Sequence, residues 1–149
     1  MSIQQLLVLV DFSEGSDLAL ARAIQIAEQT GAQLTVLHAT GPRGVVPDQA
    51  HEAIVESATR RLEAACSAAE SSGVQAEGCL HPGSALEAFE AIEAEKRPDI
   101  TLVGARGHSA LRRIWLGSVA EAVVRQANGP VLVVRETSEA EAAHPFRRF

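Results

Sequence analysis

The sequence predicts an α/β fold, in which a single doubly wound domain carries helices on both faces of a parallel sheet. Short apolar segments of strand length alternate with longer segments of helical period, in the order β-α-β-α-β-α-β-α-β. Most of the apolar segments lack a polar face, which is typical of parallel strands covered on both sides. The 149 residues, 46% of them hydrophobic, suit one domain that buries its core without disulfides or metals.

Five segments have the length and composition of strands. The third along the chain, 74–80, is interrupted by Gln75 and Glu77 and therefore suits a sheet edge that is open to water on one side. The other four are largely apolar and are predicted at 6–10, 34–39, 100–103 and Val131–Val134.

The helices between these strands are predicted from one apolar face and from the residues that begin or end them. The first spans 16–29 and ends before Gly31, whose lack of a side chain suits a helix terminus. The second begins with Asp48 as its cap and runs to about residue 72. The expected inward face of the second helix comprises Ile54, Ala58, Leu62, Ala65 and Ala69.

Capping boxes predict the starts of the last two helices. In a capping box, a Ser side chain accepts from a backbone N–H three residues later, where a Glu reaches back to the Ser N–H. Ser84 with Glu87 and Ser118 with Glu121 have this spacing. The third helix stops before Pro98 and the fourth near residue 126, and the tail 136–149 shows no period, which predicts a mobile segment.

Composition excludes several classes of protein. The 13 Lys and Arg against 19 Asp and Glu give a net charge of -6, so we expect no binding to nucleic acid or to a membrane surface. No apolar run approaches the roughly 20 residues of a membrane span. The two cysteines, Cys66 and Cys79, have neither metal-ligand nor disulfide-framework spacing and are interpreted as packing residues. We therefore expect a cytoplasmic protein.

The segment 104–118 contains the pattern most indicative of a ligand. Its glycines are spaced G-x2-G-x9-G and are followed by Ser118 at a predicted helix start. Glycines after a strand let backbone N–H groups approach an anion, and a helix N-terminus supplies a second anion site. No acidic residue lies between Asp99 and Glu121. The same stretch contains Arg106, Arg112 and Arg113, so the segment has a charge of +3. The alternative is that the glycines only turn the chain and the arginines are solvated.

Standard phosphate and hydrolase motifs are absent. A Walker loop needs GK[ST], but the only lysine, Lys96, is followed by Arg97. The segment DFSEGS offers one glycine where a dinucleotide-binding fingerprint needs three, and no G-x-S-x-G nucleophile elbow occurs. NAD, FAD and hydrolase chemistry are therefore disfavoured.

Polar side chains at the ends of the first two strands are further candidates. Asp11 could accept from ribose hydroxyls or hold a metal through water, or Asp11 and Ser13 could merely cap the first helix. His38 suits a half-buried structural histidine, whereas His108, inside the glycine loop, is equally a phosphate contact or a solvent-facing residue.

Together these segments resemble the universal stress protein family. The resemblance is carried by VDFSEGS, LTVLHA, DITLVGARG, GPVLVVR and the G-x2-G-x9-G-S spacing, and it covers about 3–135. It implies one domain over 1–135 with strand order 3-2-1-4-5 and a homodimer through Val131–Val134. It also implies ATP binding, because the glycine motif that marks the nucleotide-binding subset of the family is whole.

The resemblance implies roles for individual residues. Asp11 would stand on the ribose side of the nucleotide with Val10 beside it, and Ala39 would line the adenine pocket. Two further groups of residues would contact the phosphates. In the first group the backbone would pass beneath the phosphates, and the second group would hold phosphate oxygens. The first group is Gly104, Arg106 and Gly107, and the second is Gly117, Ser118 and Val119.

Two functions follow as hypotheses. The leading one is a nucleotide-dependent regulatory or stress-response module that binds ATP with Mg²⁺ or Mn²⁺, with no metal held by the protein alone. The alternative is a slow ATPase or phosphotransferase that uses Asp11 and a divalent ion. A receiver-type signalling domain is disfavoured, because the third strand ends in His81 rather than in a phosphorylatable Asp.

Overall fold

The computed structural model describes residues 2–106 and 116–136. The strands are β1 (Gln5–Leu9), β2 (Gln33–Ala39), β3 (Ala76–His81), β4 (Ile100–Gly104) and β5 (Val131–Val134). The helices are α1 (Glu14–Thr30), α2 (Asp48–Ser71), α3 (Ala85–Lys96) and α4 (Ser118–Gln126). The predicted order of elements is confirmed, and strand boundaries differ from the predicted ones by two residues at most. Gly107, His108, Arg112, Arg113 and the tail from 137 onward lie outside the described residues.

The strands form one sheet in the order β3-β2-β1-β4-β5, and every neighbouring pair is parallel. The expected order 3-2-1-4-5 is therefore confirmed. The strand with polar interruptions is at one edge, as predicted, and β5 is at the other. Because the strands are parallel, their carboxyl ends all lie along the same side of the sheet, which we call the carboxyl edge. Ligands bind at this edge in folds of this class.

Helices cover both faces of the sheet. On one face, Leu6 and Val8 of β1 pack with alanines of α1 and with Leu62 of α2. On the other face, Leu7 and Leu9 pack with α3 and α4, around the fully buried Phe89. Alternate residues of β1 thus enter opposite cores, which confirms the doubly wound α/β fold.

Two predicted helix caps are wrong. Asp48 is the first residue of α2, after Pro47, and no side chain among the described residues caps that helix. Ser118 is likewise the first residue of α4. The N-cap of α4 is Gly117, whose backbone is extended. Because a capping Ser must precede the helix, Ser118 and Glu121 form no capping box. The box of Ser84 and Glu87 is confirmed, with both of its hydrogen bonds present.

The inward face predicted for α2 is also wrong at one position, Ile54, which is 41% exposed. Among the residues of α2, burial begins only at Ala58. A helix of 24 residues is about 36 Å long, whereas the seven residues of β2 span about 23 Å. The first turns of α2 therefore extend beyond the sheet that would have covered Ile54.

Candidate functional site

The carboxyl edge of the sheet brings most of the predicted site residues together. Val10 and Asp11 follow β1, Ala39 ends β2 and Gly104 ends β4. Two backbone hydrogen bonds join the neighbouring segments. The N–H of Ala105 donates to the carbonyl of Val134 at 2.8 Å, and the N–H of Gly117 donates to the carbonyl of Ala105 at 2.6 Å. The start of α4 therefore lies directly beside the end of β4.

Asp11 organises the turn that leads into α1. Its Oδ1 accepts from the backbone N–H of Ser13 at 3.0 Å and from the Ser13 hydroxyl. The Asp11 N–H in turn donates to the Ser16 hydroxyl at 3.2 Å. Ser13 is the N-cap of α1, so the capping role considered for Asp11 and Ser13 is present. Asp11 is nevertheless exposed, at the same edge of the sheet as Arg106.

Phe12 lies between these residues in a conformation that an aromatic residue rarely adopts. Its φ of 63° is in the left-handed region, which costs free energy and must be compensated by contacts. Its ring centroid is 4.4 Å from that of His38, and the guanidinium of Arg61 lies 5.2 Å from it. His38 is half-buried, as predicted, and its Nδ1 is 2.8 Å from the Val10 carbonyl. Together these contacts fix the turn after β1 against the end of β2.

Gly15, which the sequence analysis did not single out, holds two walls of this region together. A Cβ at Gly15 would lie 2.1 Å from the carbonyl oxygen of Arg106, and a Cβ at Gly104 would lie 2.7 Å from the Gly15 carbonyl. A heavy atom cannot approach backbone so closely, so both positions need glycine. The first turn of α1 therefore packs backbone to backbone on the end of β4.

The N-terminus of α4 has the features of an anion site. No side chain among the described residues caps it, and the first intrahelical bond runs from the Glu121 N–H to the Gly117 carbonyl at 3.0 Å. The N–H groups of Ser118 and Val119 come before that bond, and both residues are exposed. The N–H of Gly117 is engaged with Ala105, as described above. The helix dipole adds partial positive charge at this end.

Arg106, two residues beyond β4, follows Ala105, whose carbonyl accepts from the Gly117 N–H at this helix start. Its Nη2 lies 3.6 Å from Oε2 of Glu136, two residues beyond β5. The Arg106 side chain is 24% exposed and that of Glu136 is 50% exposed. The guanidinium is therefore partly shielded from water at the same edge as the α4 N-terminus.

The cysteines have the environment of packing residues. Both are free and half-buried. The pKa of the Cys66 thiol is raised by burial and by Glu70, and that of Cys79 by burial and by Glu77. A raised thiol pKa lowers the fraction of reactive thiolate at neutral pH.

The opposite edge of the sheet contains an open cavity of about 730 Å³. Its polar side chains bind one another: the Gln5 amide donates to Gln33 at 3.2 Å, the Gln33 amide donates to Gln75 at 3.1 Å, and Lys96 pairs with Glu77. These groups are satisfied within the protein, and the cavity is remote from the predicted site residues.

Residues 2–106 and 116–136 contain no cluster of three or more His, Cys, Asp or Glu side chains that could hold a metal ion. No helix in those two ranges is long and apolar enough to cross a membrane.

Comparison with known proteins identifies the family. Residues 2–135 match the model of the universal stress protein family. The universal stress protein YxiE of Bacillus subtilis is 31% identical over 146 residues, which cover 88% of this chain and 98% of YxiE.

Solved structures agree with this assignment. The protein MJ0577, described as a test case of structural genomics, superimposes with a TM-score of 0.80 at 25% identity, covering 93% of this chain and all of that one. A universal stress protein solved in complex with cAMP has a TM-score of 0.69 at 28% identity, covering 92% of this chain and all of that one. The family match, the sequence identity and the shared fold together show that this chain belongs to the universal stress protein family.

Proposed function

We propose that this chain is a regulatory protein that binds an adenine nucleotide, ATP in the cell, at the carboxyl edge of the sheet. The observation that carries the proposal is the convergence of the Asp11 turn, the Arg106 segment and the uncapped start of α4 at that edge. The relative in complex with cAMP supports the choice of an adenine nucleotide. A carboxylate on one side and a cationic segment with free helix N–H groups on the other match a ligand with a ribose and phosphates.

In this proposal the turn after β1 binds the nucleoside. The exposed Asp11 carboxylate accepts hydrogen bonds from ribose hydroxyls, and its contact with Ser13 fixes its direction. Ala39, at the end of the neighbouring strand β2, contacts the base, and Val10 lies beside Asp11. An apolar wall beside one carboxylate suits a nucleoside, whose base is flat and whose sugar is polar.

The phosphates bind along the segment from Gly104 to α4. Arg106 supplies a charge, Ser118 and Val119 supply backbone N–H groups, and Gly117 leaves the approach open. Gly107, like Gly104, would let the chain pass beneath the phosphates, and it lies outside the described residues. Because the whole chain carries a charge of -6, a bridging Mg²⁺ or Mn²⁺ strengthens the binding of a triphosphate.

The arrangement favours binding over turnover. Phosphoryl transfer requires positive charge that acts on the transition state more than on bound ATP. The only lysine of the chain, Lys96, pairs with Glu77 at the far edge of the sheet. Among the residues that the structure describes at this site, the backbone N–H groups and Arg106 hold the ground state and the transition state similarly, so ATP acts as a switch rather than as a substrate.

Three measurements test this proposal. Nucleotide released from freshly purified, denatured protein should be an adenine nucleotide, and the emptied protein should bind ATP more tightly than GTP. Single-turnover hydrolysis with protein in excess should be far slower than the about 1 to 100 s⁻¹ of kinases, in both wild type and Asp11→Asn. Failure to bind any adenine nucleotide would contradict the binding proposal. Fast hydrolysis that disappears in Asp11→Asn would favour the alternative of an ATPase or phosphotransferase.

A further inference from the structure

We propose that Glu136 competes with the phosphates of the bound nucleotide for Arg106, and so sets the affinity of the site for phosphorylated ligands. The inference rests on the proposed nucleotide site. Its starting point is the ion pair of 3.6 Å between Arg106 Nη2 and Glu136 Oε2. The chain thus places a carboxylate of its own on Arg106, a cation of the candidate phosphate site.

The fold brings these two residues together at the site itself. Gly104 pairs in register with Val134, and the Ala105 N–H donates to the Val134 carbonyl at 2.8 Å. The chains leaving β4 and β5 therefore run side by side, which sets residue 106 next to residue 136. Since Gly117 bonds to Ala105 at 2.6 Å, the same short stretch also abuts the α4 N-terminus.

The strength of the pair suits an exchangeable contact. At 3.6 Å the nitrogen and oxygen are beyond the distance of a good charged hydrogen bond, and half of the Glu136 side chain is exposed. An ion pair with this long N···O distance and a half-exposed carboxylate contributes little free energy, because water screens the carboxylate. A triphosphate, which carries about four negative charges and several acceptor oxygens, displaces one carboxylate from Arg106. An uncharged nucleoside has no group that does so.

The sign of the effect separates competition from positioning. If Glu136 competes, its removal frees the Arg106 guanidinium and strengthens phosphate binding. If Glu136 instead held Arg106 in the orientation that a phosphate needs, its removal would weaken binding. The two roles predict opposite shifts in ATP affinity from the same variant, Glu136→Gln, which keeps the size of the side chain and removes its charge.

The experiment measures ATP and adenosine affinities by calorimetry for wild type, Glu136→Gln, Arg106→Gln and the double variant. Glu121→Gln is the matched control. It removes one negative charge from the first turn of α4, but Glu121 pairs with Arg125 at 2.7 Å rather than with Arg106. Any general effect of lowering the net negative charge near the site therefore occurs in the control as well.

We expect Glu136→Gln to bind ATP about two- to fivefold more tightly than wild type, and more tightly than the control, as an exposed pair of this kind allows. Adenosine affinity should not change, and the gain should vanish in the Arg106→Gln background. Weaker or unchanged ATP binding in Glu136→Gln would overturn the inference, as would an equal gain without Arg106. In either case ATP binding by wild type would leave the nucleotide site standing, whereas no binding by wild type overturns both.

Discussion

At the residue scale, two carboxylates of this chain organise backbone N–H groups at the end of a secondary-structure element. Asp11 does so before α1, and Asp99 does so at the amino end of β1. Oδ2 of Asp99 accepts from the N–H groups of Gln4 and Gln5 at 2.8 and 2.9 Å. These bonds lower the pKa of Asp99 below its ordinary value of 3.8.

The lowered pKa of Asp99 predicts how stability depends on pH. Its contribution to the free energy of unfolding is fully present above pH 3.8, the ordinary value, and is lost as the pH falls from there through the lower value of the folded state. Asp99→Asn, which does not titrate, should therefore be less stable than wild type at neutral pH, with a difference that shrinks in acid. Urea unfolding of both proteins from pH 7 to below pH 3 measures it, and a constant difference would contradict the assignment.

Single residues also show where sequence reasoning stops. The box of Ser84 and Glu87 could be predicted because it depends on residues three positions apart. The bonds to Asp99 from Gln4 and Gln5 could not, because they join residues 95 and 94 positions apart in the sequence. Glu93, buried and bonded to the Asn128 backbone and side chain at 2.9 Å, was missed for the same reason.

At the scale of elements, largely apolar runs predicted β1, β2, β4 and β5, whereas β3 was predicted as an edge strand because polar residues interrupt it. Helix starts were less predictable. Gly117 rather than Ser118 caps α4, since the chain enters the helix with Gly117 extended against Ala105. The close packing of α1 on β4 left no local signal at all, because Gly15 and Gly104 meet only in the folded protein.

The packing of α1 on β4 predicts that adding one methyl group at Gly15 strongly lowers the free energy of unfolding. A Cβ at Gly15 would lie 2.1 Å from a backbone carbonyl, so Gly15→Ala forces the start of α1 away from Arg106 and should lower the free energy of unfolding by about 1 to 3 kcal/mol. Gly78→Ala is the control, because its Cβ would be 3.3 Å from Leu62 Cβ and small shifts relieve that contact. Urea unfolding compares the two. An equal loss of unfolding free energy in both variants would contradict the prediction that the close contact of Gly15 with the Arg106 carbonyl requires glycine.

At the scale of the whole molecule, β5 is the outermost strand at one side of the sheet, and no further strand pairs with it among residues 2–106 and 116–136. Leu132 is 39% exposed there. An apolar edge strand with outward-facing backbone groups favours pairing with a second copy around a two-fold axis. We therefore expect the homodimer that the family resemblance implies, formed through Val131–Val134.

Backbone geometry identifies the variant that tests the dimer. The carbonyls of Pro130 and Val134 accept from β4, so even-numbered residues of this strand face the sheet and Val133 directs its N–H outward. Val133→Pro should therefore shift a dimer toward a folded monomer in sedimentation, whereas Leu132→Pro removes a bond to β4 and should destabilise the domain. A wild-type monomer at tens of micromolar, or an unchanged dimer in Val133→Pro, would contradict this interface.

The central claim, that an adenine nucleotide binds where β4 meets α4, is tested most directly by ATP titration of wild type and Gly117→Glu in a calorimeter. Glutamate at this helix start places bulk and negative charge where phosphate oxygens approach the N–H groups of Ser118 and Val119. The account predicts binding by wild type, no measurable binding by Gly117→Glu, and the same circular dichroism spectrum and unfolding midpoint for both. Equal ATP affinity in the two folded proteins would show that the phosphates bind elsewhere.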